Sequence, residues 1–302
     1  MSSGAARTVL DAQALGDTLP GLVIAARRIA ANVAFGVHGR RRPGSGESFW
    51  QFRRYGPGDP ARAIDWRRSA RTRTLYVRER EWAVAATVRL WRDTSPSMDY
   101  ASGDDLPSKA RRAEVLLLAL ASLLLRGGER VALLGRSGPA LAGQFAMPRL
   151  AEHLTASAVA PSTTDNGAQT SALAGLPVAT PLPAGCDVLL IGDFLDDLSA
   201  IEDRLGQFAA MGARCHLVHI LDPAEELLPF SGRTRFQGLE NEGALLVGRA
   251  ESLQEPYRRT MAARMDSLVA MARHHGWTYT RHRTDHRPEP ALLALSMALA
   301  GD

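Results

Sequence analysis

Three oxygen-bearing side chains alternate along one short segment of the sequence, RDTSPSM. Asp93, Ser95 and Ser97 stand at positions i, i+2 and i+4, directly after an apolar stretch typical of a buried strand. One carboxylate with hydroxyls and water suits Mg²⁺, and the segment offers no thiol or imidazole to zinc or copper. The spacing therefore predicts a cation site, provided that the segment curls. The simpler interpretation is that these side chains only cap the turn that follows.

A second aspartate occupies the same kind of position further along the chain. Asp193 follows the apolar run CDVLLIG, and a loop with several hydroxyls, 162–170, lies between the two aspartates in sequence. Parallel strands end at a common edge of their sheet, where ligands of such folds bind. We therefore expect Asp93 and Asp193 to lie at one edge of one sheet.

The elements that must position these residues alternate between short apolar strands and helices. Strands are predicted over 84–93, 129–136, 186–194, 214–221 and 277–283, and helices over 108–128, 148–157, 199–211 and 251–275. This alternation is typical of an α/β protein with a doubly wound, mostly parallel sheet flanked by helices. A β-hairpin insertion is predicted near 231–249, within the last helical crossover.

The pattern around these residues resembles the metal-ion-dependent adhesion site of von Willebrand factor type A domains. Both have D-x-S-x-S after a first strand, a later threonine loop and an aspartate closing another strand. The resemblance implies a von Willebrand factor type A-like domain with one Mg²⁺ (or Mn²⁺) held by five residues: Asp93, Ser95, Ser97, Thr170 and Asp193. Thr163 and Thr164 are alternatives to Thr170. An acidic side chain of a protein partner would complete the coordination of the metal.

The sequence upstream of Asp93 resembles the bacterial family catalogued as domain of unknown function 58. The block RRYGPGDPARAIDWRRSARTRTLYVREREW runs into VRLWRDTSPSM, and the resemblance covers about 40–285. Family members pair this block with a von Willebrand factor type A-like domain and typically accompany MoxR-type AAA+ ATPases. The resemblance thus implies a non-enzymatic adaptor or co-chaperone that assists such an ATPase in assembly of, or metal insertion into, a client complex.

Two other functions are compatible with the same residues. A metal-dependent phosphoester hydrolase would use Asp93 and Asp193 with a further carboxylate, such as Asp196 or Asp197. The arginine-rich segment could instead bind nucleic acid, because arginines contact phosphates and aromatic rings stack on bases. The hydrolase hypothesis requires that the protein turn over a phosphoester substrate. The nucleic-acid hypothesis requires salt-dependent binding to DNA of arbitrary sequence.

The positive charge of the chain is concentrated in one segment. Between Arg40 and Glu81, twelve arginines face five acidic residues, whereas the whole chain of 302 residues has a net charge of only +4. Acids inside the segment, such as Asp59, indicate that its arginines pair with carboxylates and stack on rings. An acidic protein partner is the next alternative, and nucleic acid is the least favoured partner. We predict an N-terminal helix and an arginine-rich, partly β extension over 1–82, packed on a main domain over 83–302.

Hydropathy and cysteine content indicate a cytoplasmic protein. The two cysteines cannot staple a fold, and the first residues lack a basic-then-apolar signal pattern. The longest predominantly apolar run, 115–125, is much shorter than the ~20 residues that a transmembrane helix needs. We therefore expect no transmembrane segment.

Overall fold

A computed structural model of the protein describes residues 42–44, 48–56, 59–61, 64–72, 74–82, 86–143, 145–159, 175–240 and 242–300. These residues form two compact units, one within His38–Ala86 and the other from Thr87 onward. The helix predicted in the first forty residues and the loop with Thr163, Thr164 and Thr170 lie outside the described residues.

The smaller unit is a three-stranded antiparallel sheet with the spatial order β1-β3-β2. Its strands are β1 (Arg42–Gly44), β2 (Ser48–Arg54) and β3 (Tyr76–Trp82). A single-turn helix, α1 (Trp66–Ser69), lies between β2 and β3 in the chain. Asp65 directly precedes this helix and caps it, because its carboxylate accepts a hydrogen bond from the Arg68 N–H at 2.9 Å. This side-chain cap satisfies a backbone donor that the first helical turn leaves free.

Arginines of the smaller unit pair with an acid and with rings, in line with the interpretation of the sequence. The Arg53 guanidinium donates twice to the Asp59 carboxylate, at 3.0 and 2.8 Å, and holds the pKa of that carboxyl below its usual range. The Tyr55 hydroxyl donates to the Asp59 carbonyl at 2.9 Å. The guanidinium of Arg68 lies 4.3 Å from the centre of the Phe52 ring. These two arginines therefore stabilise the unit that contains them.

Five parallel strands form the sheet of the larger unit, in the spatial order β5-β4-β6-β7-β10. The strands are β4 (Thr87–Arg92), β5 (Arg130–Leu133), β6 (Asp187–Gly192), β7 (Arg214–Leu221) and β10 (Thr278–Arg283). The chain builds outward from β4 to β5 and then continues on the other side of β4 with β6. The predicted α/β class is thus confirmed, with the parallel sheet expected of a von Willebrand factor type A-like fold.

Helices cover both faces of this sheet. They are α2 (Lys109–Arg126), α3 (Ala146–Val159), α4 (Leu198–Ala210), α5 (Pro223–Leu227), α6 (Glu251–His274) and α7 (Glu289–Ala300). Helices α2, α3 and α7 pack in the core of one face, and α4 and α6 in the core of the other. Side chains of β6 alternate between the two cores, with Leu189 and Ile191 in the first and Val188 and Leu190 in the second. A strand buried on both faces explains the uninterrupted apolar run of its sequence.

The insertion predicted near 231–249 contains a two-stranded antiparallel sheet. It consists of β8 (Thr234–Gln237) and β9 (Ala244–Val247). Leu245 and Leu246 in β9 are 62% and 55% exposed. The turn between the strands carries Glu240, which extends toward the loop after β4, as described below.

His282 in β10 is buried, and we predict that it lowers the free energy of unfolding in acid. Burial, together with the positive charge of Arg112, lowers the pKa of His282 to about 4 from an ordinary value of 6.5. The unfolded chain takes up this proton more readily than the folded protein. The contribution of His282 to the free energy of unfolding is therefore fully present above pH 6.5 and is lost as the pH drops from 6.5 to 4, by up to about 3 kcal/mol.

We predict that His282→Leu removes most of this acid-dependent loss. Urea unfolding at pH 7 and pH 4.5 measures it as the difference between the two free energies, which becomes smaller by about 2 kcal/mol in the variant. His286 is exposed and is a lesser influence on the pKa of His282 than burial and Arg112, so His286→Leu should keep most of the wild-type difference. An equal pH dependence in wild type and His282→Leu would contradict the prediction.

Candidate metal centre

The candidate residues lie at the carboxyl edge of the sheet, between β4 and β6. Asp93 follows β4, Asp193 follows β6, and the two strands are hydrogen-bonded neighbours. The Asp93 N–H still donates to the Ile191 carbonyl, at 2.8 Å. The strand order reverses at this point, because β5 lies on one side of β4 and the later strands lie on the other. Loops that leave such a reversal in opposite directions open the crevice in which doubly wound sheets bind ligands.

The loop after β4 curls, as the cation hypothesis requires. The Ser95 N–H donates to Asp93 Oδ1 at 2.8 Å, and the hydroxyls of Ser95 and Ser97 are 2.9 Å apart and hydrogen-bonded. Pro96 opens a single 3₁₀ turn, Pro96–Asp99, where its fixed φ and missing N–H are tolerated. All three alternating side chains are buried.

Asp193 joins this cluster from the neighbouring strand. Its Oδ2 accepts a hydrogen bond from the Ser97 hydroxyl at 2.7 Å, and its Oδ1 accepts one from the Leu195 N–H at 3.3 Å. The structure thus brings together four of the five residues predicted to hold a metal: Asp93, Ser95, Ser97 and Asp193. Thr170 and its alternatives belong to the loop outside the described residues.

One oxygen in this cluster is left without a partner. Asp93 is fully buried, and among the described residues no group hydrogen-bonds its Oδ2. Burial and the nearby charge of Asp193 raise the pKa of Asp93 to about 8. Buried carboxylates normally have hydrogen-bond donors or a cation beside them, because an unpaired buried charge is costly. The raised pKa means that Asp93 is largely neutral at pH 7 without a cation, and a cation beside Oδ2 would favour its charged form.

Glycine at the end of β6 makes this arrangement sterically feasible. A Cβ atom added to Gly192 would lie 2.9 Å from the Cβ of Asp93 and 3.0 Å from its Oδ2. Real Cβ contacts are longer than this, so any side chain at position 192 would push the Asp93 carboxylate away. The absence of a side chain lets the two strand ends approach each other.

Lys109 belongs to the same cluster, although the sequence analysis did not select it. It is the first residue of α2 and is fully buried. Its ammonium donates to Asp193 Oδ2 at 2.8 Å and to Glu225 Oε1. Burial by itself lowers the pKa of Lys109, but the charges of the two carboxylates outweigh it, so the pKa is raised and the side chain stays charged. Composition was the one sequence feature that could have drawn attention to this residue, because Lys109 is the single lysine in a chain with 35 arginines.

Glu225 is held in place by the start of α5. The Asp222 N–H donates to Glu225 Oε2 at 3.0 Å, while the Asp222 carboxylate accepts from the Ala224 N–H at 2.8 Å. This reciprocal pattern is a capping box. Asp222 also accepts a hydrogen bond from the Ser102 N–H at 3.0 Å, so the segments that follow β4 and β7 are tied together.

The loop that carries Asp193 is fixed in a strained conformation. Phe194 has φ 48°, in the left-handed region that costs energy for a residue with a bulky side chain. Its ring is buried in the core of the α4–α6 face. The Arg264 guanidinium of α6 donates to the carbonyls of Phe194, Leu195 and Asp196, at 2.7–3.1 Å. Core packing and this clamp together stabilise the backbone that positions Asp193.

Comparison with known families covers most of the chain. The family described as "Protein of unknown function DUF58" matches residues 51–267, which contain the arginine-rich block and both aspartates. The chain belongs to this family. No curated protein matches the DUF58 chain.

Solved structures similar to this DUF58 chain have low sequence identity. The conserved hypothetical protein BatB from Bacteroides thetaiotaomicron is 16% identical, with a TM-score of 0.41, and the match covers 72% of this chain and 98% of that one. An aerotolerance-related membrane protein from Bacteroides fragilis with multiple mutations to serines is 15% identical, with a TM-score of 0.37 and coverage of 71% and 98%. In the described part of the DUF58 chain, no helix is long and apolar enough to cross a membrane.

Two further carboxylates approach the site in this DUF58 protein. Burial and the charges of Glu240 and Asp193 raise the pKa of Asp196. Glu240, from the hairpin turn, accepts a hydrogen bond from the Ser97 N–H at 3.4 Å. Asp197, which the hydrolase hypothesis also considered, instead caps α4 by accepting from the N–H and the hydroxyl of Ser199, both at 2.8 Å.

The donor set fits a small hard cation better than a soft one. Among the described residues, no three His, Cys, Asp or Glu side chains form a group that could hold a metal. A cation here would therefore need the serine hydroxyls beside the carboxylates of Asp93 and Asp193. Two carboxylates supplemented by hydroxyls and water match the preferences of Mg²⁺ and Mn²⁺, and the partnerless Oδ2 of Asp93 would be the first ligand of such an ion.

Proposed function

We propose that this DUF58 protein is a non-enzymatic interaction module that binds a protein partner through one Mg²⁺ or Mn²⁺. The residues that would hold the metal are Asp93, Ser95, Ser97 and Asp193, with Thr170, Thr163 or Thr164 from the intervening loop. The observation that carries this proposal is the buried Asp93 Oδ2, which has no partner among the described residues. When bound, the metal supplies a coordination position that an acidic side chain of the partner completes.

The charges around the site support binding of a divalent cation. Asp93, Asp193 and Glu225 contribute three carboxyl groups, and Lys109 contributes one ammonium that donates to two of them. Asp93 has no positive side chain among its hydrogen-bond partners in the described residues. A cation beside it would offset the burial that now disfavours its charged form.

The environment of Asp93 favours binding over catalysis. Hydrolysis of a phosphoester by general acid–base chemistry needs a free base within reach of a nucleophile. His219 lies near Asp193, but its Nδ1 is hydrogen-bonded to the Tyr279 hydroxyl at 2.6 Å, and burial lowers its pKa to about 4. Lys109 donates to two carboxylates, and Asp197 caps a helix. We therefore propose a binding role for this site.

The proposed partner is a MoxR-type AAA+ ATPase, with a role in assembly of, or metal insertion into, a client complex. Membership in the DUF58 family supports this partner, because members typically accompany such ATPases. In this proposal, an acidic side chain of the ATPase completes the coordination at Asp93, so that contact between the proteins depends on the metal.

Affinity capture from native lysate tests this function. The tagged protein should retain an AAA+ ATPase, identified by mass spectrometry, in millimolar Mg²⁺ and lose at least nine-tenths of it, roughly a tenfold change, in EDTA. Adding excess Mg²⁺ after EDTA should restore the captured amount, which controls for damage by the chelator. Equal capture with and without EDTA would contradict a metal bridge. Turnover of phosphoester substrates that is lost with Asp93→Ala would favour the hydrolase instead.

A further inference from the structure

The buried ammonium of Lys109 lies against a carboxylate that the proposed metal also needs. Asp193 Oδ2 accepts hydrogen bonds from the Lys109 ammonium at 2.8 Å and from the Ser97 hydroxyl at 2.7 Å. With both donors in place, the lone pairs of this oxygen are occupied. A metal ligated by this oxygen would have to replace one of the two donors.

A continuous chain of hydrogen bonds connects the side chains of the site, and the Lys109 ammonium is part of it. From the hydroxyl of Ser95 they run through Ser97 to Asp193, and then through Lys109 to Glu225 at the start of α5. Every link is a buried or part-buried side-chain contact. The arrangement satisfies Asp193 and Glu225 without a metal, whereas Asp93 Oδ2 has no hydrogen-bond partner among the described residues.

We propose that Lys109 is a resident counter-ion that competes with the divalent metal for Asp193. This inference rests on the proposed metal function and adds its regulation. The site then has two mutually exclusive states. In one, the Lys109 ammonium joins Asp193 to Glu225. In the other, Asp193 holds the metal, and the ammonium has left Asp193.

The residue type suits this exchange. Lysine carries a point charge on a flexible stem with three donors, whereas arginine is a rigid planar fork. Lys109 can therefore leave Asp193 while keeping its hydrogen bond to Glu225. Two positive charges a few ångströms apart also repel each other strongly in a poorly solvated site. The ammonium should accordingly weaken metal binding by roughly tenfold or more.

Chemical labelling of wild-type protein tests the exchange directly. Lys109 is the single lysine of the chain, so a lysine-selective acylating reagent modifies one side chain, which peptide mass spectrometry separates from the terminal amine. In EDTA the fully buried ammonium should react slowly. Saturating Mn²⁺ should raise the labelling rate at least about tenfold, because the ammonium loses Asp193 as a partner. If electron paramagnetic resonance shows bound Mn²⁺ while the labelling rate stays unchanged, the exchange is overturned and the metal function survives.

A charge-removing variant provides the second test. Lys109→Met keeps the apolar stem, and it should bind Mn²⁺ at least about tenfold more tightly than wild type. Arg126→Met, at the other end of α2, should bind Mn²⁺ like wild type. Binding to Lys109→Met alone would support the competition and contradict a metal bridge in the wild-type protein. Equal affinity for both proteins, or no binding to either, would overturn the inference, and the second result would also overturn the metal function. If Lys109→Met does not fold, the wild-type labelling result decides.

Discussion

We expect Asp93→Ala to abolish Mg²⁺-dependent capture of the partner and to leave the fold intact. The variant loses the one buried carboxylate oxygen that has no partner among the described residues, and with it the first ligand of the proposed metal. Stability should change little, because the lost hydrogen bond from the Ser95 N–H contributes about 1 kcal/mol, and removal of a poorly paired buried carboxyl group compensates for it.

Two measurements check this result. Capture of the AAA+ ATPase in Mg²⁺ should fall to the level that wild type shows in EDTA, while urea unfolding in EDTA gives a free energy within about 1 kcal/mol of wild type. Asp99→Ala removes an exposed carboxylate from the same loop and should capture the partner normally. Retained capture by folded Asp93→Ala would reject the site, and loss of folding would show that Asp93 is mainly structural.

Gly192→Ala should disable the same site through a single methyl group. The added Cβ would lie 2.9 Å from the Cβ of Asp93, so either the carboxylate or the end of β6 must move. We expect Mn²⁺ affinity to fall by about tenfold or more, since ligands must keep their geometry. We also expect the free energy of unfolding to fall by roughly 1–3 kcal/mol because of overpacking.

Gly206→Ala is the matched control for this prediction. Gly206 lies within α4, and a Cβ added there meets no other atom within 4 Å. Alanine favours the helix over glycine by about 1 kcal/mol, so this variant should be more stable than wild type and bind Mn²⁺ equally well. Urea unfolding and Mn²⁺ titration of both variants measure the contrast. The steric argument fails if the two substitutions have the same effect.

Secondary structure was predicted best for strands whose side chains are buried in the core. Side chains of β6 and β7 are buried on both faces, and their apolar stretches predicted β7 at its observed bounds and β6 to within a few residues. In β4 alternate side chains are buried, and this strand was also predicted to within a few residues. Helix α5 was missed because five residues give no periodicity. Its capping box was nevertheless visible as Asp222 followed by Glu225 at the third position. Helix α7 was missed because its residues are almost uniformly apolar, without a clear polar face.

The sequence analysis found the site residues that are close in sequence or end a strand, and it missed those that come from distant elements. Asp93, Ser95 and Ser97 share one loop, and Asp193 ends a clearly apolar strand, so the common edge of parallel strands and the resemblance to von Willebrand factor type A domains placed them together. Lys109 and Glu225 are 116 residues apart, and Glu240 is 143 residues from Ser97. Which side chains of distant elements meet depends on the packing of helices and hairpin, which periodicity does not specify.

The reversal of strand order has a consequence for synthesis of the protein. β6 is the third strand of this sheet to leave the ribosome, yet it lies at the centre, between β4 and β7. A nascent chain that ends before β6 exposes one edge of β4 and contains Asp93 without Asp193. A partner that needs both aspartates would therefore pass over incomplete chains and engage only those in which the central strand has been added.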